Sequence, residues 1–161
     1  MLYTNLDAYF AIAIEAWEEA KVSLDRHTSP KPDGTGFIRR LDPSQRSFKQ
    51  SMIAIAFAGV YLESLLFVVG SQRLGRSRWL QYHEFSKYES KLELLGVTDA
   101  GLLEGCKRLR MTRKGLMHEK AAADLSEGIR VAQDEAEHAI QLIREISALL
   151  RPNSAAGASS N

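Results

Sequence analysis

The chain has 161 residues, 45% of them hydrophobic and 25% charged, the proportions of one globular domain with one core. Its 21 Lys and Arg against 20 Asp and Glu leave a formal charge of +1, which excludes a strongly basic, nonspecific nucleic-acid coat and any net pull toward an acidic membrane surface. One cysteine, Cys106, excludes an intrachain disulfide framework and a multi-cysteine zinc site; with no basic-then-apolar leader in the first residues, the expected location is the cytoplasm.

Helical periodicity runs through nearly the whole chain. Thr4 or Asn5 caps a first predicted helix whose apolar positions, Leu6, Tyr9, Phe10, Ala13, Ile14, Trp17, Val22 and Leu24, recur at three- and four-residue steps to about Arg26. His27 to Leu41 carries Pro30, Pro32, Gly34 and Gly36, has no period and reads as a long loop without strands. Asp42 as N-cap, Pro43 at the first helical position and Gln45 at capping-box spacing predict a second helix running to about Leu74, with a bend near Gly59 or a break near Gly70. Within it, Met52 to Val69 is apolar apart from Gly59, Glu63 and Ser64. That approaches the roughly 20 residues a bilayer requires, but Glu63 near its middle would be expensive in lipid, so the segment is read as a buried core helix and no membrane is expected.

Ser77 to Leu95 reads as a third helix ended by Gly96, and Thr98 or Asp99 caps a fourth through Leu102, Leu103, Cys106, Leu109, Leu116 and Met117. The pattern loosens from Ala121 to Arg130. A fifth helix from about Val131 places Ala136, Ala139, Ile140, Ile143, Ile146 and Leu150 on one face until Arg151-Pro152 stops it. The expected fold is an all-α, up-down bundle of four or five helices forming one domain over residues 1–151, followed by a disordered tail at 152–161.

Chemistry concentrates in the fourth helix. Lys107, Arg108, Arg110, Arg113 and Lys114 form a local +5 without a carboxylate, either an anion-binding segment or a solvated face opposing the helix dipole. The core stripe steps Leu102, Cys106, Leu109, Arg113, Leu116, so Arg113 occupies a position where spacing predicts a hydrophobe. A guanidinium drawn toward a core face needs a partner, and Glu63, alone in its apolar helix, is the natural one; their contact is expected. Elsewhere, Glu135 and His138 have the Glu-x-x-His spacing of di-iron bundles but no second copy, so neither metal nor cofactor is expected. Cys106 reads as a small buried hydrophobe, and Asp33-Gly34-Thr35-Gly36 as turn chemistry.

The segment Leu109-Arg110-Met111-Thr112-Arg113-Lys114-Gly115-Leu116-Met117-His118 resembles the signature of HEPN domains (higher eukaryotes and prokaryotes nucleotide-binding), an arginine followed by four residues and a histidine. The same spacing occurs at Arg78 and His83, without the basic helix before it or the final helix after it. The resemblance implies a HEPN-like helical domain and a metal-independent endoribonuclease, a toxin or defence effector whose site forms between two copies of a homodimer. On this reading Arg113 and His118 are catalytic, Glu63 and Lys114 supporting, and Lys107 and Arg110 contact RNA. Active members carry Asn, Asp or His after the arginine, where this chain has Lys114, a point charge for phosphate. The alternatives are a non-catalytic HEPN-like module binding RNA, a nucleotide or a protein such as an antitoxin, and a helical dimerisation protein.

The chemistry implied there is self-consistent. Cleavage without metal requires a base for the 2′-hydroxyl, an acid for the leaving 5′-oxygen and a cation on the phosphoryl oxygens, roles suited to histidine and arginine. On a straight helix, five steps of roughly 100° set the Arg113 and His118 side chains about 140° apart, so one compact site needs a bend at Gly115 or a second protomer.

Overall fold

The computed structural model describes residues 5–40, 42–117 and 132–151. Among them six helices and one small hairpin form in the order α1 (Leu6–Arg26), β1 (Thr28–Pro30), β2 (Phe37–Arg39), α2 (Arg46–Leu74), α3 (Arg76–Tyr82), α4 (Tyr88–Leu94), α5 (Ala100–Met117) and α6 (Ala132–Leu150). The chain is all-α in character, as expected, with six helices among the described residues rather than four or five. The expected tail, the loosened segment at 121–130 and Val131 lie outside the described residues.

The four long helices alternate in direction. α1 runs antiparallel to α2, since Glu19 pairs with Arg46 and the Tyr9 ring meets Phe57. α2 and α6 run parallel, tied by Tyr61 to Ser147 and by Gln133 to Ser47, whereas Arg108 to Glu135 and the packing of Leu142 on Gly105 set α5 antiparallel to α6. α2 is the centre: it packs on α1, α3, α4, α5 and α6. Its buried residues include Ala54, Ile55, Ala58, Leu62, Leu65 and Leu66, met by Ala13, Ala16 and Ala20 of α1 and by Ala136, Ile140, Ile143 and Ile146 of α6. Small residues on α1 and α2 let these two helices approach closely, and the branched chains of α6 fill the space opposite.

Four local expectations are corrected. First, the 27–41 loop contains an antiparallel hairpin in the register Thr28↔Arg39, Ser29↔Ile38, Pro30↔Phe37. Asp33 Oδ1 accepts from the Thr35 amide and hydroxyl, and Gly34 takes a φ of 71°, so the turn residues close a ribbon whose strands, at three residues each, are too short to show alternation. Second, α2 begins at Arg46 rather than just after Asp42. Asp42 holds a turn through the Ser44 amide and hydroxyl and still reaches the Arg46 amide at 2.8 Å, while Gln45, at φ 53°, joins turn to helix.

Third, α2 does not break at Gly70 but runs as one helix through Gly59 and Gly70 to Leu74. A Cβ on Gly59 would lie 2.2 Å from Arg113 Cδ, and one on Gly70 would lie 2.1 Å from the Trp79 ring; both glycines are notches for neighbouring side chains. Fourth, the expected third helix divides into α3 and α4. Trp79 fills the Gly70 notch and Tyr88 reaches Glu63, and nine residues of straight helix would set these two side chains about 180° apart. The turn over 83–87 brings both to α2, and the buried Lys91 steadies it by donating to the Glu84 carbonyl at 2.7 Å.

Candidate phosphate-binding site

Arg113 lies across α2. The Cδ, Nε and Nη1 atoms pass over Gly59, where any side chain would displace them. Nη1 donates to Glu63 Oε1 at 3.0 Å and to the Tyr88 hydroxyl, and that hydroxyl donates to the same Glu63 oxygen at 2.6 Å. The expected Glu63–Arg113 contact is therefore present, with Tyr88 as a third member. Burial, and then the bond to Glu63, push the Tyr88 phenol above its ordinary range, which keeps it protonated as the donor in this cluster.

Among the described residues only one edge of the guanidinium is engaged. Among the described residues Arg113 Nε and Nη2 have no hydrogen-bond partner, and 24% of the side chain remains exposed, with Glu63 at 51%. The Nε–Nη2 edge is the fork that grips two oxygens of a phosphate or carboxylate, and it is held in place by the opposite edge. Lys114, the next residue, is exposed and has no ion-pair partner among the described residues.

The rest of the basic run does not make a patch. Because α5 turns about 100° per residue, consecutive cations leave it in different directions. Arg110 turns to α4 and meets Glu89 at 2.9 and 3.4 Å; burial raises the Glu89 carboxyl, but the Arg110 bond, a backbone hydrogen bond and the charges of Arg110 and Lys87 together outweigh it and hold the carboxyl below the ordinary carboxylate range. Arg108 turns to α6, where its Nε and Nη2 grip the buried Glu135 at 2.9 and 2.8 Å and Thr112 donates to the same carboxylate. Lys107 lies 3.3 Å from Glu104 on an exposed surface. Arg108, Lys107, Glu104, His138, Leu142 and Glu145 line a groove of about 970 Å³ between α5 and α6. Of the Glu135–His138 pair, Glu135 is thus committed to Arg108 and Thr112.

Of the residues singled out from the sequence, the structure brings Arg113 and Glu63 together, with Lys114 beside them in the chain. Arg110 and Lys107 are directed elsewhere, Arg110 onto Glu89. His118 lies outside the described residues; α5 itself continues through Gly115 to Met117 without interruption. Arg78 is exposed on α3, and His83 packs its ring on Trp79 at 5.6 Å. Sequence reasoning missed Tyr88, which looked like one more core position of a helix, and read Gly59 as a weak point. The signal available for Gly59 was its place one helical turn before Glu63, where a small residue leaves room for whatever side chain Glu63 pairs with.

Comparisons with protein-family models, with curated proteins and with solved structures returned no match.

Proposed function

We propose that this chain is a metal-independent endoribonuclease of HEPN type, acting as a toxin or defence effector, with Arg113 as the phosphate-binding group and His118 in proton transfer. One observation carries the reading. A guanidinium on a core stripe is anchored by Glu63 and Tyr88 through one edge, while its bidentate edge meets no partner among the described residues. Arg108, by contrast, uses its fork on the Glu135 carboxylate.

In the proposed reaction, Arg113 Nε and Nη2 hold the non-bridging oxygens and stabilise the charge that develops on them. One imidazole takes the 2′-hydroxyl proton, the 2′-oxygen attacks phosphorus, and a second imidazole protonates the departing 5′-oxygen. The products end in a 2′,3′-cyclic phosphate and a 5′-hydroxyl. Two imidazoles require two copies of the chain. The outward side of α2, between α1 and the Arg113 cluster, carries Ile53, Ala56, Phe57, Val60 and Phe67 incompletely buried, a surface on which a second copy can seat with both Arg113 clusters at its edge.

The test is digestion of single-stranded RNA in EDTA, with product ends mapped. Cyclic-phosphate termini are expected, with Arg113→Ala and His118→Ala each slowing cleavage by roughly a hundredfold or more. Unchanged cleavage in both variants rules the assignments out. A second reading, a non-catalytic RNA-binding module that works with a protein partner, is favoured by Lys114, exposed and without an ion-pair partner among the described residues, in place of the polar residue usual in active members. Salt-sensitive RNA binding without cleavage would select it.

A further inference from the structure

The β1–β2 hairpin takes no part in the Arg113 cluster, yet its side chains are unlike those of a plain connection. Phe37 and Arg39 stand on one face of the ribbon, about 7 Å apart, and Ile38 stands on the other. Every residue of β2 is exposed, Phe37 to 70% and Ile38 to 44%. The Phe37 ring is thus open to a planar partner, on the same face of the ribbon as Arg39.

The charges around it are also free. Residues 28–40 contain Lys31, Arg39 and Arg40 against the single carboxylate Asp33. None of the three cations has an ion-pair partner among the described residues, whereas Arg46, close by in the chain, pairs with Glu19 at 2.7 Å. Asp33 turns back onto Thr35. The ribbon is also firmly set: the Thr28 hydroxyl donates to the Leu24 carbonyl at 2.8 Å, and the Arg40 amide to the His27 carbonyl at 2.7 Å.

An exposed ring beside unpaired cations is the arrangement that binds a single nucleic-acid strand, a base stacking on the ring while guanidinium and ammonium groups meet the phosphates. A lipid surface fits less well. Membrane insertion needs apolar side chains together at the tip or on one face, but here the tip is Asp33-Gly34-Thr35-Gly36, and Phe37 and Ile38 point to opposite faces. We propose that the hairpin is a binding platform for single-stranded RNA, in which Phe37 stacks on a base and Arg39, Arg40 and Lys31 hold the flanking phosphates. The proposal names the strandedness of the ligand and rests on the RNA-binding half of the reading above, not on its chemistry.

The experiment is fluorescence anisotropy of a labelled oligouridylate with the full chain in EDTA at several salt concentrations. Phe37→Ala is expected to weaken binding roughly tenfold or more, and Phe37→Trp to keep it, the introduced indole being quenched as the strand binds. Arg39→Glu with Arg40→Glu is expected to weaken binding and flatten the salt dependence by about one unit per lost phosphate contact. Parental affinity in all three variants, or capture by phosphatidylserine vesicles with no oligouridylate binding, overturns the proposal. Binding that depends on Phe37 without cleavage would remove the nuclease reading and leave the platform. EDTA-resistant cleavage indifferent to Phe37 and Arg39 would do the reverse.

Discussion

Arg113 stands on a stripe made for hydrophobes, and three neighbours make that tolerable: Gly59 leaves room, Glu63 balances the charge and Tyr88 supplies a polar atom where water is partly excluded. Its neighbour on the same stripe, Cys106, shows the opposite environment. Cys106 is fully buried, and burial, with the nearby Glu89 adding to it, pushes the thiol up to about 12. A raised thiol value means the neutral form persists through ordinary pH, and at pH 8 only about one molecule in ten thousand carries the thiolate. Iodoacetamide at pH 8 is therefore expected to leave native Cys106 unlabelled and to label it once the chain unfolds in denaturant. Prompt labelling of the folded protein would contradict the packing of α5 against the core.

At the scale of elements, α2 offers two glycines with different neighbours. Alanine in a helix interior is better than glycine by roughly 1 kcal/mol, a gain that survives only if the new methyl group fits. At Gly59 the obstacle is a flexible, partly exposed arginine side chain that can swing away, so Gly59→Ala should melt at or slightly above the parental temperature. At Gly70 the obstacle is the ring of Trp79, fully buried and hemmed in, and overpacking there should cost about 1 to 3 kcal/mol. Thermal unfolding of the two variants should differ in sign, and equal destabilisation would refute the notch assignment. These glycines also mark where the sequence was hard to read. Periodicity and caps placed α1, α5 and α6 within a residue or two because each buries one regular stripe. Propensity alone makes Gly59 look like a bend and Gly70 like a break, since their purpose lies in side chains 54 and nine residues away, at Arg113 and Trp79. The division into α3 and α4 was hidden for the same reason: only the positions of Trp79 and Tyr88 on α2 show that a straight helix could not serve both. In the site, Arg113 and Glu63 were legible as charges out of place on apolar stripes, whereas Tyr88 carried no such mark.

For the whole molecule, a formal charge of +1 conceals an uneven distribution, though not the one the basic run suggests. Along α5 the cations Lys107, Arg108, Arg110 and Arg113 each face a carboxylate, while Lys114 and the hairpin's Lys31, Arg39 and Arg40 are among the cations that have no ion-pair partner among the described residues. Near-neutrality therefore excludes a broad basic surface while leaving room for the Arg113 fork, which has no partner among the described residues, and for one basic ribbon. The account predicts that nucleic-acid recognition depends on those two places. Its central claim is that Arg113, held over Gly59 by Glu63 and Tyr88, is the phosphate seat. The most direct measurement is EDTA-resistant cleavage of single-stranded RNA by Gly59→Ala beside the parental chain, at equal folded concentration. The account predicts a loss of roughly a hundredfold, on the scale of removing one transition-state donor, with unfolding temperature unchanged or raised. Parental cleavage rates in a folded Gly59→Ala variant would contradict it.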